Sequence, residues 1–407
     1  MNSAEHEKNQ GRKVLNVPNL RFKEFQGEWK EERLADIADL YKGTGISKEQ
    51  LSGDGEPCIL YGELYTKYKS ETIREVISKT NIDNTKLVRS KANDVIIPCS
   101  GETAEDIATA RCVLNGNILL GGDLNIIRLH GYDGAFMSYQ LNGRRKYDIA
   151  KVAQGVSVVH LYGEHLKGVK TFNPCLEEQK KIAKLLSLLD ERIATQNKII
   201  EDLKKLKSAI IEKHYSQVKK RTTCIADLGE PFSVGSLAKD DLTEIGSPCV
   251  IYGELFTTYG EIIFHIESCT NKTDGMILSK KGDLLFPSST TVDAMSLIAP
   301  SVINVDGVVL GGDMFGIHIS HNYNSQYLSY YFNHIAKKQL AKFAKGSTII
   351  HLHYKDIEKA KLLLPSLEEQ NRMAKCLVAL DKKVSVEQNL LSSLSCQKSY
   401  LLQQMFI

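Results

Sequence analysis

The sequence predicts an α+β protein: two tandem mixed α/β domains separated by two long helices that pair as an antiparallel coiled coil. Three observations carry that prediction. First, the chain repeats itself, PCILYGELYTKY at 57–68 returning as PCVIYGELFTTY at 248–259 and GGDLNIIRL at 121–129 as GGDMFGIHI at 311–319, at an offset near 191. A period that long lies far above the roughly 20–50 residues of solenoid repeats, so each copy is a domain with an accessory element. Second, each copy alternates short β-type runs with a helical pattern. Third, each copy ends in a proline, LEEQ and a long stretch free of glycine and proline, at 176–221 and 367–407.

The elements follow in order. Residues 1–27 form a polar N-terminal tail that opens MNSAEHEKNQGRK, without the apolar core of a secretory signal, so a cytoplasmic protein is expected. In the first domain, 28–175, the runs Val95–Ile97, Ile118–Leu120 and Ile126–Leu129, punctuated by Gly and Asn, read as strands. A helix is expected over 136–153, stopped by Gly155. The central helix follows at 176–221. The second domain, 222–365, repeats the strands at Leu284–Phe286, Val308–Leu310 and Phe315–Ile319 and the helix at 325–344, stopped by Gly346; the C-terminal helix occupies 366–407. The YGEL segments at 61–64 and 252–255 read either as buried strand or turn, or as base-contacting loops.

Composition is that of an ordinary globular protein: 407 residues, 42% hydrophobic, with 52 Lys+Arg against 49 Asp+Glu. Charges interrupt every apolar run well short of the ~18 residues that a membrane helix needs. Nine cysteines, none within ten residues of another, provide no CxxC pair and read as reduced thiols.

Pro174 and Pro365 end the extended chain, and Glu177, Glu178, Glu368 and Glu369 fall in the first helical turn, where the dipole favours negative charge. In the central helix, Ile182, Leu185, Leu189, Arg192, Gln196 and Ile199 open a stripe spaced alternately by three and four residues. Leu380, Lys383, Glu387 and Leu390 belong to the matching stripe of the C-terminal helix. Either stripe alone fits a helix packed on its own domain; its recurrence, polar positions included, favours pairing. The expected register sets Arg192 opposite Glu387, Gln196 opposite Lys383, Ile199 facing Leu380 and Leu189 facing Leu390. Polar seam positions of this kind fix register at a cost in stability.

With PCLEEQKKIAKLLSLLDERI at 174–193 repeated as PSLEEQNRMAKCLVALDKKV at 365–384, each preceded by AQGVSVVHL or AKGSTIIHL, and an opening LRFKEFQGEW at 20–29, the chain resembles the DNA specificity subunit of type I restriction-modification systems. The resemblance covers nearly the whole chain. It implies two target-recognition domains held apart by the paired helices, each reading half of a bipartite site in double-stranded DNA. It also implies that catalysis belongs to partners: two methyltransferase subunits using S-adenosylmethionine, and motor-nuclease subunits using ATP and Mg. The outer helix surfaces, LEEQ included, are then expected to dock the methyltransferases. This chain would carry no cofactor and no metal.

The residues agree in what they lack. There is no NPPF/Y motif, no GxxxxGK[ST] phosphate loop, no HExxH and no GxSxG elbow. His351 and His353 alternate in a strand and share a face, but His160 in the other copy has no second histidine, which favours structural roles. Phosphate contacts supply most DNA affinity and side-chain forks read base edges, so candidate contacts are basic or polar. In the first domain these are Lys67, Lys69, Arg89, Lys91, Arg144, Arg145, Lys146, Lys151 and Gln154, with Ser100 and Thr103 in a small-polar loop. In the second they are Lys272, Lys280, Lys281, Lys337, Lys338, Lys342 and Lys345, with Ser288 and Ser289 in the matching loop. The rival readings are a duplicated-domain enzyme with unrecognised active sites and a coiled-coil adaptor that binds only proteins.

Overall fold

The computed structural model describes residues 15–83, 85–155 and 158–407. The first fourteen residues of the N-terminal tail, and Val156 and Ser157 of the AQGVSVVHL motif, lie outside the described residues. The chain forms two compact units, one of residues 1–197 with 389–407, the other of 198–388. The division runs through both long helices, Leu176–Gln217 and Leu367–Gln404.

In the first unit, a five-stranded sheet orders Ala38–Lys42, Leu124–Leu129, Asp94–Pro98, Arg111–Val113 and Thr72–Ile73, antiparallel except for the last pair. The second unit repeats it with Gly229–Ser233, Met314–Ile319, Leu284–Pro287, Ser301–Ile303 and Ile262–Ile263. The central strands read as continuous apolar runs because both faces are covered: Val95, Ile96 and Ile97 are all buried. A smaller sheet lies beside each, four-stranded in the first unit and five-stranded in the second. The extra strand is Ile277–Leu278; its counterpart in the first unit is an isolated bridge between Arg89 and Leu119.

The helix expected over 136–153 is two helices, Gly134–Asn142 and Lys146–Val152, and its twin breaks at the same place into Ser325–His334 and Lys337–Leu340. In the first unit Gly143 ends the helix. The second has no glycine there, and the break follows from packing: Ala336 and Leu340 both turn fully into the core.

The LEEQ glutamines are buried staples. Gln179 donates from Nε2 to the Pro174 carbonyl (2.8 Å) and accepts from the Asp133 N–H (2.9 Å), which fixes the helix start against the N-cap of Gly134–Asn142. Gln370 does the same with Pro365 (2.9 Å) and Asn324 (3.0 Å). Glu178 is buried under a two-pronged pair with Arg21, at 2.7 and 2.8 Å. Three of the four residues LEEQ would lend to a docking partner in the first unit are thus turned inward or half-covered, leaving Glu177 exposed.

Within each unit the two helix segments run antiparallel. In the first, Ile182, Ala183 and Leu186 share a cluster with Leu401, Leu402, Met405 and Phe406, and Asp190 meets Lys398 at 2.6 Å. In the second, Lys207 meets Asp381 at 2.9 Å and His214 meets Glu369 at 3.1 Å.

The register differs from the expected one. Asp381 is level with Lys207, so Leu380 lies about two turns along from Ile199. Leu189, next to Asp190, is likewise level with the neighbourhood of Lys398 rather than with Leu390. The stripe itself is rotated. Leu186, Ile200 and Lys207 are covered where Leu185, Ile199 and Leu206 are the exposed neighbours, and Leu377 and Val384 replace Cys376 and Lys383. Arg192 is exposed, and Lys383 is exposed and pairs with Glu387 on its own helix, so neither is a seam position, whereas Gln196 and Glu387 are buried. The physical reason is that residues three and four apart straddle the same helical face. With Leu at both 185 and 186 and Ile at both 199 and 200, apolarity does not choose between them.

Candidate nucleic-acid interface

Two glycines make the loops that present the candidate surface. Gly155 has φ +126°, and a Cβ there would stand 2.1 Å from the Val158 carbonyl oxygen; Gly346 has φ +118° and the same conflict with Ile349 at 2.0 Å. Only glycine fits either turn. Each turn closes a hairpin, with Gln154 and His160 exchanging backbone hydrogen bonds of 2.9 and 2.7 Å, and Lys345 and His351 doing likewise. The returning strand then pairs with the small-polar loop, Val159–His160 with Ser100–Gly101 and Ile350–His351 with Ser289–Thr290.

This brings together Ser100, Thr103, Lys146, Lys151 and Gln154 in the first unit, since the helix Ala104–Ile107 that Thr103 caps packs on Lys146–Val152. Tyr147 is 73% exposed beside them, and the rings of His160 and Tyr162 stack at 6.0 Å. The second unit assembles Lys337, Lys338, Lys342 and Lys345 with the partly exposed Phe343 and with His351 and His353, stacked at 6.1 Å. Lysines around such a surface suit the phosphates of a duplex backbone. Sequence reasoning missed Tyr147, Tyr162 and Phe343; the signal, a large aromatic beside lysine, was present for Tyr147 and Phe343 but not for Tyr162, which lies between Leu161 and Gly163.

Lys345 is itself paired with Asp356 at 2.5 Å, and the remaining candidates lie elsewhere or are occupied. Lys67 is held by Glu63 (2.6 Å) and Ser78 (2.9 Å), Arg89 by Glu56 (2.6 Å) and Lys272 by Asp241 (3.3 Å). Lys91 and Lys280 sit in a turn whose backbone N–H is capped by Asp94 or Asp283, and Lys69 and Lys281 are exposed on separate loops. Arg144 and Arg145 hold the chain end, donating to the carbonyls of Gln403 and Ile407 at 3.0 Å each. Ser288 and Ser289 are buried, so Thr290 and Thr291 are what that loop exposes. Each YGEL segment is a turn running into a short helix, Glu63–Thr66 or Glu254–Thr257, whose first residue is buried and accepts from the Leu60 or Ile251 N–H at 2.9 Å. His353 starts the helix Tyr354–Ile357, and among the described residues no group of three metal-ligating side chains forms.

A second pair of constellations joins each domain to the helices. In the first unit Lys398 contacts Glu71 (2.5 Å) and Asp190 (2.6 Å), the Tyr139 hydroxyl donates to Asp190 (2.7 Å), and Arg111 is buried nearby. In the second, Lys207 contacts Glu261 and Asp381, both at 2.9 Å, His334 meets Glu261 at 2.9 Å, and the Tyr330 hydroxyl donates to Asp381. Burial works against the ammonium of both lysines, but their two carboxylates outweigh it and raise both pKa values. The matched glutamates shift in opposite directions. Burial raises Glu71, whose one strong cation is shared with Asp190. For Glu261 burial is outweighed by His334 and Lys207, which bring it down to about 2. Burial and the facing aspartate push Tyr139 and Tyr330 upward.

Comparison with known proteins follows the same duplicated plan. The type I restriction modification DNA specificity domain family matches residues 26–205 and again 224–395. A type I restriction enzyme specificity subunit of Methanocaldococcus jannaschii is 24% identical over 397 residues, covering 90% of each chain. A putative one from the same organism is 24% identical over 421 residues, with 92% of each covered. The crystal structure of a type I restriction-modification S subunit from M. genitalium shares the fold with a TM-score of 0.64 at 18% identity, covering 96% of this chain and 99% of that one. A chain from a structural description of complex assembly and conformational transition in the type I R-M system superposes with a TM-score of 0.54 at 15% identity, covering 93% and 97%. Both halves of the chain carry the domain, in the order and over the length of these relatives, and the chain belongs to the specificity subunits of type I restriction-modification systems.

Proposed function

We propose that this chain reads a bipartite, asymmetric site in double-stranded DNA, one half-site per domain, without catalysing a reaction itself. The observation that carries this reading is the hairpin-and-helix surface, which occurs once in each unit on the same backbone but with different side chains. Gln154 and Tyr162 stand in one where Lys345 and His353 stand in the other, beside a lysine common to both, Lys151 or Lys342. Equal scaffolds with unequal side chains suit two different half-sites. The chain would scaffold two methyltransferase subunits, which bring S-adenosylmethionine, and through them motor-nuclease subunits, which bring ATP and Mg.

The LEEQ docking idea is narrowed by the burial of Glu178, Gln179 and Gln370 to the exposed helix faces, where Glu177 and Glu368 are accessible. The test exchanges residues 222–365 for the second domain of another family member and maps methylated adenines in DNA modified by the reconstituted complex. One half-site should change while the other half and the spacer persist. A swap that altered both halves would refute the assignment of one half-site to each domain.

A further inference from the structure

The two domains differ at one buried position in a way that leaves a cavity. Arg111 begins the strand Arg111–Val113, which pairs with Thr72–Ile73; Ser301 begins the matching strand, paired with Ile262–Ile263. In the first unit the Arg111 guanidinium fills the space between strand and neighbouring loop. It donates to the carbonyls of Tyr68 (3.0 Å) and Ala110 (3.1 Å) and is only 8% exposed. In the second unit the equivalent carbonyls belong to Tyr259 and Pro300; Pro300 accepts from Ser329 (2.9 Å) and Asn333 (2.7 Å), as Ala110 does from Ser138 and Asn142 besides Arg111, and the Ser301 hydroxyl turns instead to Gly260 (2.7 Å). The loop is also one residue shorter there, Gly260 standing for Lys69 and Ser70.

What remains is an open cavity of about 460 Å3, lined by Phe256, Tyr259, Glu261, Pro300, Ser301 and Asn333 among others. That volume is within the ~300–1,000 Å3 typical of small-ligand pockets.

The charged groups beside the two positions differ as well. The first unit's constellation sets Lys398 and Arg111 against Glu71 and Asp190. The second has no guanidinium there and sets Lys207 and the imidazole of His334 against Glu261 and Asp381. Phe256 and Tyr259 add ring faces, on which a planar cation packs well. Lys337 also lines the cavity, and its charge acts on the Asp293 carboxylate as well.

We infer that the second domain carries a guanidinium-binding slot, floored by Ser301 and walled by Tyr259, Pro300 and Glu261, which takes from outside the group that the first domain supplies with its own Arg111. The ligand is a free guanidinium compound or an arginine side chain of a partner protein; both present the same planar fork to the two carbonyls. A ligand there sits beside Glu261, whose carboxylate ties this domain to Lys207 of the central helix.

The probe is agmatine, titrated calorimetrically into the full chain at constant ionic strength, with 1,5-diaminopentane as the dication of similar length that lacks the fork. Agmatine should bind saturably and at least about tenfold more tightly than the diamine, because an ammonium cannot reach both carbonyls from one plane. Ser301→Arg, which fills the slot from within, should abolish the binding. Ser301→Met, which fills it without charge, should do the same and stands in if the arginine variant does not fold. A short arginine-containing peptide binding more tightly than agmatine assigns the slot to a protein side chain, and the reverse order to a free small molecule. Absence of saturable agmatine binding to the wild type, equal binding of the diamine, or binding unchanged in both Ser301 variants would overturn the inference.

Discussion

Replacing Lys207 by methionine tests whether the ion constellation of the second unit governs its stability. Lys207 keeps only 12% of its side chain exposed and lies 2.9 Å from both Glu261 and Asp381. At an effective dielectric of about 20, each such contact corresponds to roughly 6 kcal/mol of gross attraction, most of it offset by desolvation of the charges. Removing the cation leaves two carboxylates facing each other under Tyr330, and the loss of one member of a buried pair costs about 3–5 kcal/mol.

The pH dependence of the loss carries the sharper test. Glu261, brought down to about 2 from the ordinary 4.5, contributes stability that is present above pH 4.5 and lost as pH falls toward 2. The shift corresponds to roughly 3 kcal/mol. In Lys207→Met that contribution shrinks, and protonating the carboxylates at low pH relieves the repulsion. The gap between wild type and variant is therefore greatest near pH 7 and narrows below about pH 4.5. Urea unfolding followed by far-UV circular dichroism at several pH values measures it, with hydrogen exchange localising the transition to residues 255–263 and 325–340. A gap that stayed constant from pH 7 to pH 3 would show that packing of the lysine stem, not its charge, is what the substitution removed.

Phe406→Ala removes a ring packed at 5.3 Å from Phe136 and 6.3 Å from Trp29, and should destabilise the first unit by about 3–5 kcal/mol. Trp29 is the sole tryptophan, so its fluorescence reports that transition directly. Lys342→Ala should lower the slope of log K against log salt for DNA binding by about 0.9, one phosphate contact. Arg145→Ala, by contrast, should leave the slope unchanged and lower the melting temperature, since Arg145 holds Ile407. Gly346→Ala forces a Cβ into the Ile349 carbonyl at φ +118° and should cost about 1–3 kcal/mol of local strain. Methylome mapping should then show weakened recognition of one half-site with the other intact.

The duplication, the strands Val95–Ile97 and Leu284–Phe286, and the two long helices were legible in the linear order of residues, because identity at a constant offset and a break in glycine and proline are properties of the sequence alone. So was the family, carried by LEEQ and its flanking repeats. Which side of each helix is the seam was decided only in three dimensions. Leu185 and Leu186 are equally apolar, and burying one over the other depends on what the opposite helix offers at that level. The same holds for some of the basic residues: nothing local distinguishes Arg89, bound to Glu56 across 33 residues, from Lys342, exposed beside a hairpin. Lys398 and Glu71 stand 327 residues apart, and their pairing is a property of the folded chain because a charge's partner is set by distance in space. Arg111 against Ser301 was visible as a difference between repeats, but only the packed strand edge shows that one fills a slot and the other leaves it open.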